Sequence, residues 1–310
     1  MEPRTEPLRP YTLNVIQFVG FLSGLIFGSF LNVCISRIPK GESIIHPRSR
    51  CPQCGASIRW YDNIPLLSWL SLRGRCRDCR QSISWQYPLV ELAVGLWFML
   101  VAIQIHSAPS SVIYLIELLS LVILGFLLIG LVVIDWQTFT LPDAFTLTGI
   151  FIGFILTFIR ATYLAPRQYD LLLHGHNPLT SVGGAIDNGN VVLTGPEHLV
   201  LGRLFAITLA ACILLFIRFA YKTLRHREGL GFGDIKLIAM IAAFLGFWPA
   251  ILALFLGVIL CAFYAITLLA RSRATATTRL PLGTFLCIGG IVSSLWGQPI
   301  LAAYLHWAGL

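Results

Sequence analysis

The sequence predicts an all-α polytopic membrane protein with about eight transmembrane helices and a small cytoplasmic zinc-ribbon-like insert. Of its 310 residues, 56% are hydrophobic and only 12% are charged, whereas a soluble domain carries about 25% charged residues. The apolar residues also cluster into uncharged runs of 18 or more, the length that crosses about 30 Å of hydrocarbon. These observations exclude an ordinary soluble fold.

Eight apolar segments are predicted to cross the membrane. Their predicted ranges are 11–36, 88–105, 112–134, 142–164, 201–219, 235–247, 249–270 and 281–303. The first is too long for a cleaved signal peptide, so we expect a permanent span. The sixth is short, which predicts a tilted, shallow or partly re-entrant helix. Residues 165–200, between the fourth and fifth spans, are predicted to form an extracytoplasmic loop.

The basic residues indicate which ends of these spans face the cytoplasm. Lys and Arg number nine in residues 37–80, five in 218–236 and three in 271–279, against five on the other side. Because basic residues gather in cytoplasmic loops, these three segments are predicted to be cytoplasmic and both termini extracytoplasmic. The same topology accounts for the net charge of +8, so membrane lipid, and no nucleic acid, is the expected partner.

Four of the eight cysteines form two C-x-x-C pairs. The pairs read Cys51-Pro-Gln-Cys54 and Cys76-Arg-Asp-Cys79. Two such pairs at this separation are typical of a structural zinc site, in which four thiolates complete the coordination. The alternative is a redox or disulfide pair, which a cytoplasmic location disfavours. The predicted organisation is therefore a first span over 1–36, a zinc insert over 37–87 and a membrane domain over 88–310.

Two aspartates stand at the ends of predicted membrane helices. Asp135 ends an otherwise uncharged run, and Asp234 follows Gly231 and Gly233 at the start of the sixth span. Considered separately, Asp135 can be interpreted as a solvated carboxylate at a helix end, and Asp234 as a helix N-cap. Taken together, they are predicted to lie at one depth, since the third span runs inward and the sixth runs outward. Two carboxylates that share a site keep one proton between them, as aspartyl proteolysis requires.

Other charged residues lie near this predicted pair or at span ends. Lys236 is interpreted either as a counter-charge or, as we favour, as a lysine that extends its ammonium group to the membrane surface. Asp143 is interpreted as the N3 residue of a capping box that begins at Thr140 and opens the fourth span. Glu91 and Glu117 lie near span ends on opposite faces, and neither is assigned a role.

These motifs resemble those of the type IV prepilin leader peptidase family, also called prepilin peptidase/N-methyltransferase. The resemblance covers nearly the whole chain except about 165–200. The segments that carry it are Gly28–Val33 with Arg37 and Pro39, the two C-x-x-C pairs, Ile134-Asp135 with Leu141–Asp143, Gly231–Leu237, and Arg279–Leu286. The chain departs from the family pattern in its second cysteine pair, its C-terminal motif and its long 165–200 segment.

The resemblance implies a bacterial inner-membrane enzyme whose active site faces the cytoplasm. Asp135 and Asp234 correspond to the family's catalytic pair, and Gly231, Gly233 and Lys236 would support them. Family members cut the short basic leader from prepilins and pseudopilins, in type IV pilus and type II secretion systems, after a glycine. Many then methylate the new N-terminus, so zinc and S-adenosylmethionine are the expected cofactors. The sequence contains no soluble glycine-rich methyltransferase motif.

Three other interpretations compete with this one. Presenilin-type and signal-peptide-peptidase-type proteases share a G-x-G-D motif, but they carry P-A-L where this chain has Pro281-Leu282-Gly283. A non-enzymatic transporter with a zinc-stabilised insert would be favoured by inverted repeats, and the sequence contains no repeat. A membrane thiol-redox protein would place its C-x-x-C pairs on the oxidising side, opposite to the predicted orientation.

Overall fold

The chain is almost entirely helical in a computed structural model that describes residues 10–104, 112–173, 196–225, 230–271 and 280–308. The α-helices of these residues are α1 (Pro10–Arg37), α2 (Leu67–Ser71), α3 (Gln86–Gln104), α4 (Val112–Thr138), α5 (Asp143–Leu173), α6 (Pro196–Arg225), α7 (Phe232–Leu245), α8 (Phe247–Ala270) and α9 (Leu282–Ala308). Within the described ranges, extended pairing is limited to two isolated β-bridges. The predicted all-α class is confirmed.

Seven of these helices, all except α2 and α7, are long and apolar enough to cross a membrane. They match seven of the eight predicted spans, so the chain is a multi-pass membrane protein. The remaining predicted span, the sixth, corresponds to α7, which has only 14 residues. At 1.5 Å per residue it is about 21 Å long, too short to cross about 30 Å of hydrocarbon. The prediction of a short sixth segment is confirmed.

The helices on either side of the predicted 165–200 loop are longer than their apolar segments. Helix α5 continues to Leu173 and α6 begins at Pro196, so the prediction of a loop over 165–173 and 196–200 is wrong. Hydropathy marks only the part of a helix that lies in hydrocarbon, whereas backbone hydrogen bonding continues into water. The remainder of that predicted loop, 174–195, lies outside the described residues.

Two compact units make up the chain, Met1–Gly130 and Leu131–Leu310. Helix α4 crosses the boundary between them. The first unit contains α1 to α3, the cysteine pairs and most of α4. The second unit contains the end of α4 and helices α5 to α9, and both predicted aspartates belong to it.

In the first unit, α1 packs against α3 along a row of glycines. Gly20, Gly24 and Gly28 recur every fourth residue, on one face of the helix. A Cβ atom at Gly24 would lie 2.7 Å from the Val94 carbonyl oxygen, and one at Gly28 would lie 2.6 Å from the Cα atom of Glu91. Small residues at this spacing let membrane helices approach closely, where lipid provides no hydrophobic drive for association.

Helix α7 forms the core of the second unit. Its residues from Leu237 to Phe244 are buried without interruption, as expected of a helix that is apolar on all sides. At its carboxyl end, the Arg203 guanidinium donates a hydrogen bond to the Ala242 carbonyl at 3.3 Å. Gly246 follows with a φ of 95°, a conformation open to glycine, and turns the chain into α8.

We predict that Gly289 sets the separation of α8 and α9. A Cβ atom there would lie 2.3 Å from the Ala253 carbonyl oxygen and 3.0 Å from the Gly257 nitrogen. Gly289→Ala should therefore force the two helices apart and lower the free energy of unfolding by about 1–3 kcal/mol. The unfolding midpoint of the purified protein in detergent measures this effect.

Gly297→Ala is the matched control for this prediction. It adds the same methyl group to the same helix, and the nearest atom is the Ser293 hydroxyl at 3.1 Å, with the next neighbours at 3.9 Å. A hydroxyl at the end of a side chain can shift, so this variant should melt close to wild type. Equal midpoints for the two variants would contradict the proposed close contact of α8 with α9.

Candidate active site

Asp135 lies in the last turn of α4 and is only 5% exposed. Its Oδ2 atom accepts two hydrogen bonds from Thr284, one from the backbone N–H at 2.6 Å and one from the hydroxyl at 2.9 Å. Thr284 lies in the first turn of α9, where backbone N–H groups have no partner within the helix. Asp135 is therefore a buried, anchored carboxylate, and its single-residue interpretation as a solvated group is wrong.

Asp234 is the third residue of α7 rather than its N-cap. The N-cap is Gly231, whose backbone N–H donates a hydrogen bond to Asp234 Oδ2 at 3.2 Å. This is one half of a capping box, since glycine has no side chain to complete the other half. Asp234 is half-buried, and this one long hydrogen bond holds it less firmly than two short ones hold Asp135.

Leu141 brings the two aspartates into one site. A Cβ atom at Gly233 would lie 3.0 Å from Leu141 Cβ, and one at Gly283 would lie 2.9 Å from Leu141 Cδ1 and 3.0 Å from Asp135 Cγ. The leucine thus fills the space between the glycine that precedes Asp234 and the glycine beside Asp135. The two carboxylates are close enough for their charges to interact.

Lys236 and Asp143 form an ion pair between α7 and α5. The Lys236 ammonium group donates to Asp143 Oδ1, and 31% and 60% of the two side chains are exposed. The structure therefore pairs Lys236 with Asp143, rather than extending it freely to the membrane surface. Helix α5 begins at Asp143 itself, so the predicted capping box from Thr140 is wrong. The carboxylate is engaged by a lysine that is 93 positions away in the sequence.

Arg218 orders the backbone that leads into Asp234. Its Nη1 atom donates a hydrogen bond to the Leu230 carbonyl, and its Cζ atom lies 4.0 Å from the centroid of the Phe232 ring. Leu230 and Phe232 flank Gly231, the residue that donates to Asp234. Arg218 therefore fixes the chain on both sides of that donor.

Three residues that complete this site, Thr284, Leu141 and Arg218, were not predicted as members of it. Thr284 and Leu141 lie inside segments that carried the family resemblance, so a signal for them was available. Arg218 entered the sequence analysis only as one of the basic residues that indicate orientation. Its contact with Phe232 follows from helix packing and has no signature in the sequence.

The four predicted cysteine ligands form one cluster in the first unit. All four Sγ atoms lie within 4.8 Å of one another, an arrangement that could hold a metal ion. The Sγ atoms of Cys51 and Cys79 are 3.8 Å apart. Four thiolates around a tetrahedral Zn²⁺, with Zn–S bonds of about 2.3 Å, stand about 3.8 Å from one another. The cluster therefore fits zinc.

Each C-x-x-C pair sits in a turn of the same form. The Gly55 N–H donates to the Cys51 carbonyl at 2.9 Å, and the Arg80 N–H donates to the Cys76 carbonyl at 3.0 Å. Gly55 and Arg80 occupy equivalent positions with φ of 71° and 62°. The second pair thus keeps the turn without the glycine, although a side chain in this conformation costs about 1–2 kcal/mol.

The turn of the first pair also favours the metal-binding form of the Cys51 thiol. A hydrogen bond from the backbone N–H of Cys54 lowers the pKa of the Cys51 thiol to about 7. The thiolate is the form that binds metals. The turn therefore favours the charged state of the ligand near neutral pH.

The fold and the site together define a multi-pass membrane protein with two carboxylates held in one site at helix ends. Two family models match this chain: the Bacterial Peptidase A24 N-terminal domain over residues 22–105, and the Type IV leader peptidase family over residues 121–266. No solved structure matches it.

Curated relatives match the chain over most of its length. It is 30% identical to a prepilin leader peptidase/N-methyltransferase from Stutzerimonas stutzeri over 98% of this chain and 99% of the relative. It is 33% identical to the protein of that name from Aeromonas hydrophila over 92% of each, and 37% identical to the one from Klebsiella pneumoniae over 74% of this chain and 85% of the relative. The chain therefore belongs to the type IV leader peptidase family, and the resemblance drawn from its motifs is confirmed.

Proposed function

We propose that this protein cleaves the leader from type IV prepilins and pseudopilins by aspartyl protease chemistry at Asp135 and Asp234. The observation that carries the proposal is the convergence of the two carboxylates around Leu141. Membership of the type IV leader peptidase family and the names of its relatives support this substrate class. The same membership disfavours a non-enzymatic transporter.

The unequal hydrogen bonding of the two carboxylates supports different roles for them. Two donors from Thr284 stabilise the ionised form of Asp135, whereas Asp234 accepts one longer bond. Since two adjacent carboxylates hold one proton between them, we assign the proton to Asp234. Asp135 is then the general base and Asp234 the general acid.

The reaction then follows in two steps. Asp135 takes a proton from water as the water oxygen attacks the peptide carbonyl carbon, and Asp234 gives its proton to the carbonyl oxygen. As the tetrahedral intermediate collapses, the C–N bond breaks and the leaving nitrogen receives the proton held by Asp135. Asp234 recovers its proton from a hydroxyl of the intermediate, which restores the starting state.

We also propose that the amine released by cleavage is methylated by the same protein. The relatives are named N-methyltransferases, and S-adenosylmethionine would supply the methyl group.

The cysteine cluster would hold one structural Zn²⁺, with no coordination position left for a substrate. The distribution of basic residues supports an inner-membrane location with residues 37–87 and the aspartates on the cytoplasmic side.

We predict that Asp135→Asn and Asp234→Asn each abolish leader cleavage, because one carboxylate cannot serve as both base and acid. Acid–base catalysis accelerates a reaction about 10²- to 10⁴-fold, so kcat should fall by at least about 10²-fold. Mass spectrometry of a prepilin incubated with each purified variant measures the rate. Asp143→Asn is the matched control, since it removes an acid that pairs with Lys236, and it should retain most activity. Wild-type cleavage by either of the first two variants would remove that aspartate from the site.

We predict that the Thr284 hydroxyl positions and stabilises the Asp135 carboxylate. Thr284→Val removes the hydroxyl and keeps the backbone donor, while Thr284→Ser keeps both. A hydrogen bond to a charged group is worth about 1.5–3 kcal/mol, so Thr284→Val should lower kcat about 10- to 100-fold with little change in KM. Thr284→Ser should restore most of the rate. Wild-type activity of Thr284→Val, or a loss confined to Thr284→Ser, would contradict this role of the hydroxyl.

We predict one zinc ion per chain, bound by the four clustered cysteines. Elemental analysis of the purified protein should find it, and Cys76→Ser should lower both the zinc content and the unfolding midpoint. Cys212→Ser, which alters an exposed cysteine on α6, should leave the zinc content unchanged. A zinc-free protein whose four clustered thiols resist titration until a reductant is added would favour the redox alternative.

A further inference from the structure

Helix α2 is joined to the membrane helix α3 by a buried carboxylate. Glu91, in α3, is only 8% exposed, and its Oε2 atom accepts a hydrogen bond from the backbone N–H of Leu66 at 2.8 Å. The Ser29 side chain, on α1, lies beside this carboxylate. Leu66 is the N-cap residue of α2. The start of α2 is therefore fixed to the side of the α1–α3 pair.

The position of Glu91 along α3 sets the depth at which α2 lies. The apolar part of α3 begins just after Gln86, which follows the polar residues Arg80, Gln81 and Ser84. Because the apolar run marks the part of a helix that lies in hydrocarbon, Gln86 lies near its edge. Glu91 comes five residues later, about 7.5 Å farther along the axis. Because side chains lean towards the N-terminus of their helix, α2 begins somewhat nearer the surface, within the interfacial layer.

The exposed face of α2 carries two leucines, and Ser68 faces the protein. Leu67 and Leu70 lie about one helical turn apart and are 64% and 63% exposed. Ser68, between them, is buried and donates a hydrogen bond to the Tyr61 carbonyl at 3.0 Å. A short amphipathic helix at this depth would bury its leucines among lipid, as interfacial helices do about 5–10 Å below the headgroups.

The residues around α2 also suit a bilayer surface. Trp69 packs on Trp85, which directly precedes α3, with ring centroids 4.1 Å apart, and tryptophan is enriched at the level of the headgroups. Arg73 and Arg75 follow α2 and are exposed. Anionic headgroups attract basic residues beside a membrane by about 1 kcal/mol each.

We propose that α2 is an interfacial membrane anchor, with Leu67 and Leu70 against lipid acyl chains and the two arginines among phosphate headgroups. The partner is the bilayer itself. The expectation that all of residues 37–87 are cytoplasmic would then fail at α2. The cysteine cluster would be held at the membrane surface rather than on a free arm. This inference does not depend on the proposed proteolytic function.

Photo-cross-linking of the full chain tests the anchor. A benzoylphenylalanine probe is placed at position 67, 70 or 53, and each protein is reconstituted in phosphatidylethanolamine–phosphatidylglycerol vesicles and irradiated. Gln53 is an exposed residue of the first cysteine pair and serves as the matched control. We expect at least a tenfold higher yield of lipid adducts, mapped by mass spectrometry, at positions 67 and 70. Equal yields at positions 53 and 70 would overturn the proposal.

A second arm tests the part played by Glu91. Glu91→Gln keeps an oxygen that accepts from Leu66 and should leave the lipid adduct yield at position 70 within twofold. Glu91→Leu removes that acceptor and should lower the yield at least fivefold. An undiminished yield in a folded Glu91→Leu protein would overturn the tether. The comparison of positions 53, 67 and 70 uses unaltered Glu91, so it decides the proposal even where Glu91→Leu does not fold.

A third arm distinguishes lipid from protein at this face. Vesicles that also contain a prepilin are irradiated in the same way. Lipid adducts that persist at positions 67 and 70 support the anchor. Adducts that form with the prepilin in place of lipid would show that this face docks protein, and would overturn the proposal.

Discussion

A bilayer supplies no water, so a polar group inside it must find its hydrogen bonds within the protein. Two buried carboxylates of this chain meet that constraint in the same way. Glu91 accepts from the Leu66 backbone N–H and lies beside the Ser29 side chain, and Asp135 accepts from the backbone N–H and the hydroxyl of Thr284. Each carboxylate is held by a backbone donor that lies at or near the start of a helix.

Asp234 departs from this pattern, and the departure bears on its function. It accepts a single bond at 3.2 Å from a glycine, although it shares a site with another carboxylate. A carboxylate with few donors gains less from ionisation, so the less supported member of the pair is suited to keep the proton. The asymmetry also depends on Arg218, which holds the residues on both sides of that glycine. The fold thus separates the roles of two chemically identical side chains.

Much of the architecture was predictable because the bilayer sets a minimum length for apolar segments. The cysteine cluster was predictable because each pair of ligands is local in sequence. What the sequence did not predict depends on long-range contacts. Thr284 meets Asp135 across 149 positions, and Lys236 meets Asp143 across 93. The latter contact also explains why a local capping pattern at Thr140 was misleading: a carboxylate that could cap a helix pairs instead with a lysine on another helix.

Contacts at both ends of α7 account for its short length. Its start is fixed by Asp234, since the glycine at position 233 has to pack on Leu141 for the carboxylate to reach Asp135. Its end is fixed at the Ala242 carbonyl, which accepts from the Gly246 N–H at 2.9 Å and from Arg203 at 3.3 Å, and by the turn at Gly246. A lipid-facing helix of 14 residues would leave its ends in hydrocarbon, with unpaired backbone groups. Helix α7 avoids that penalty because it is buried from Leu237 to Phe244, and because Gly246 and Arg203 both supply donors to its last turn. Its neighbours cross the membrane, and the core helix has only to place its first turn at the depth of Asp135.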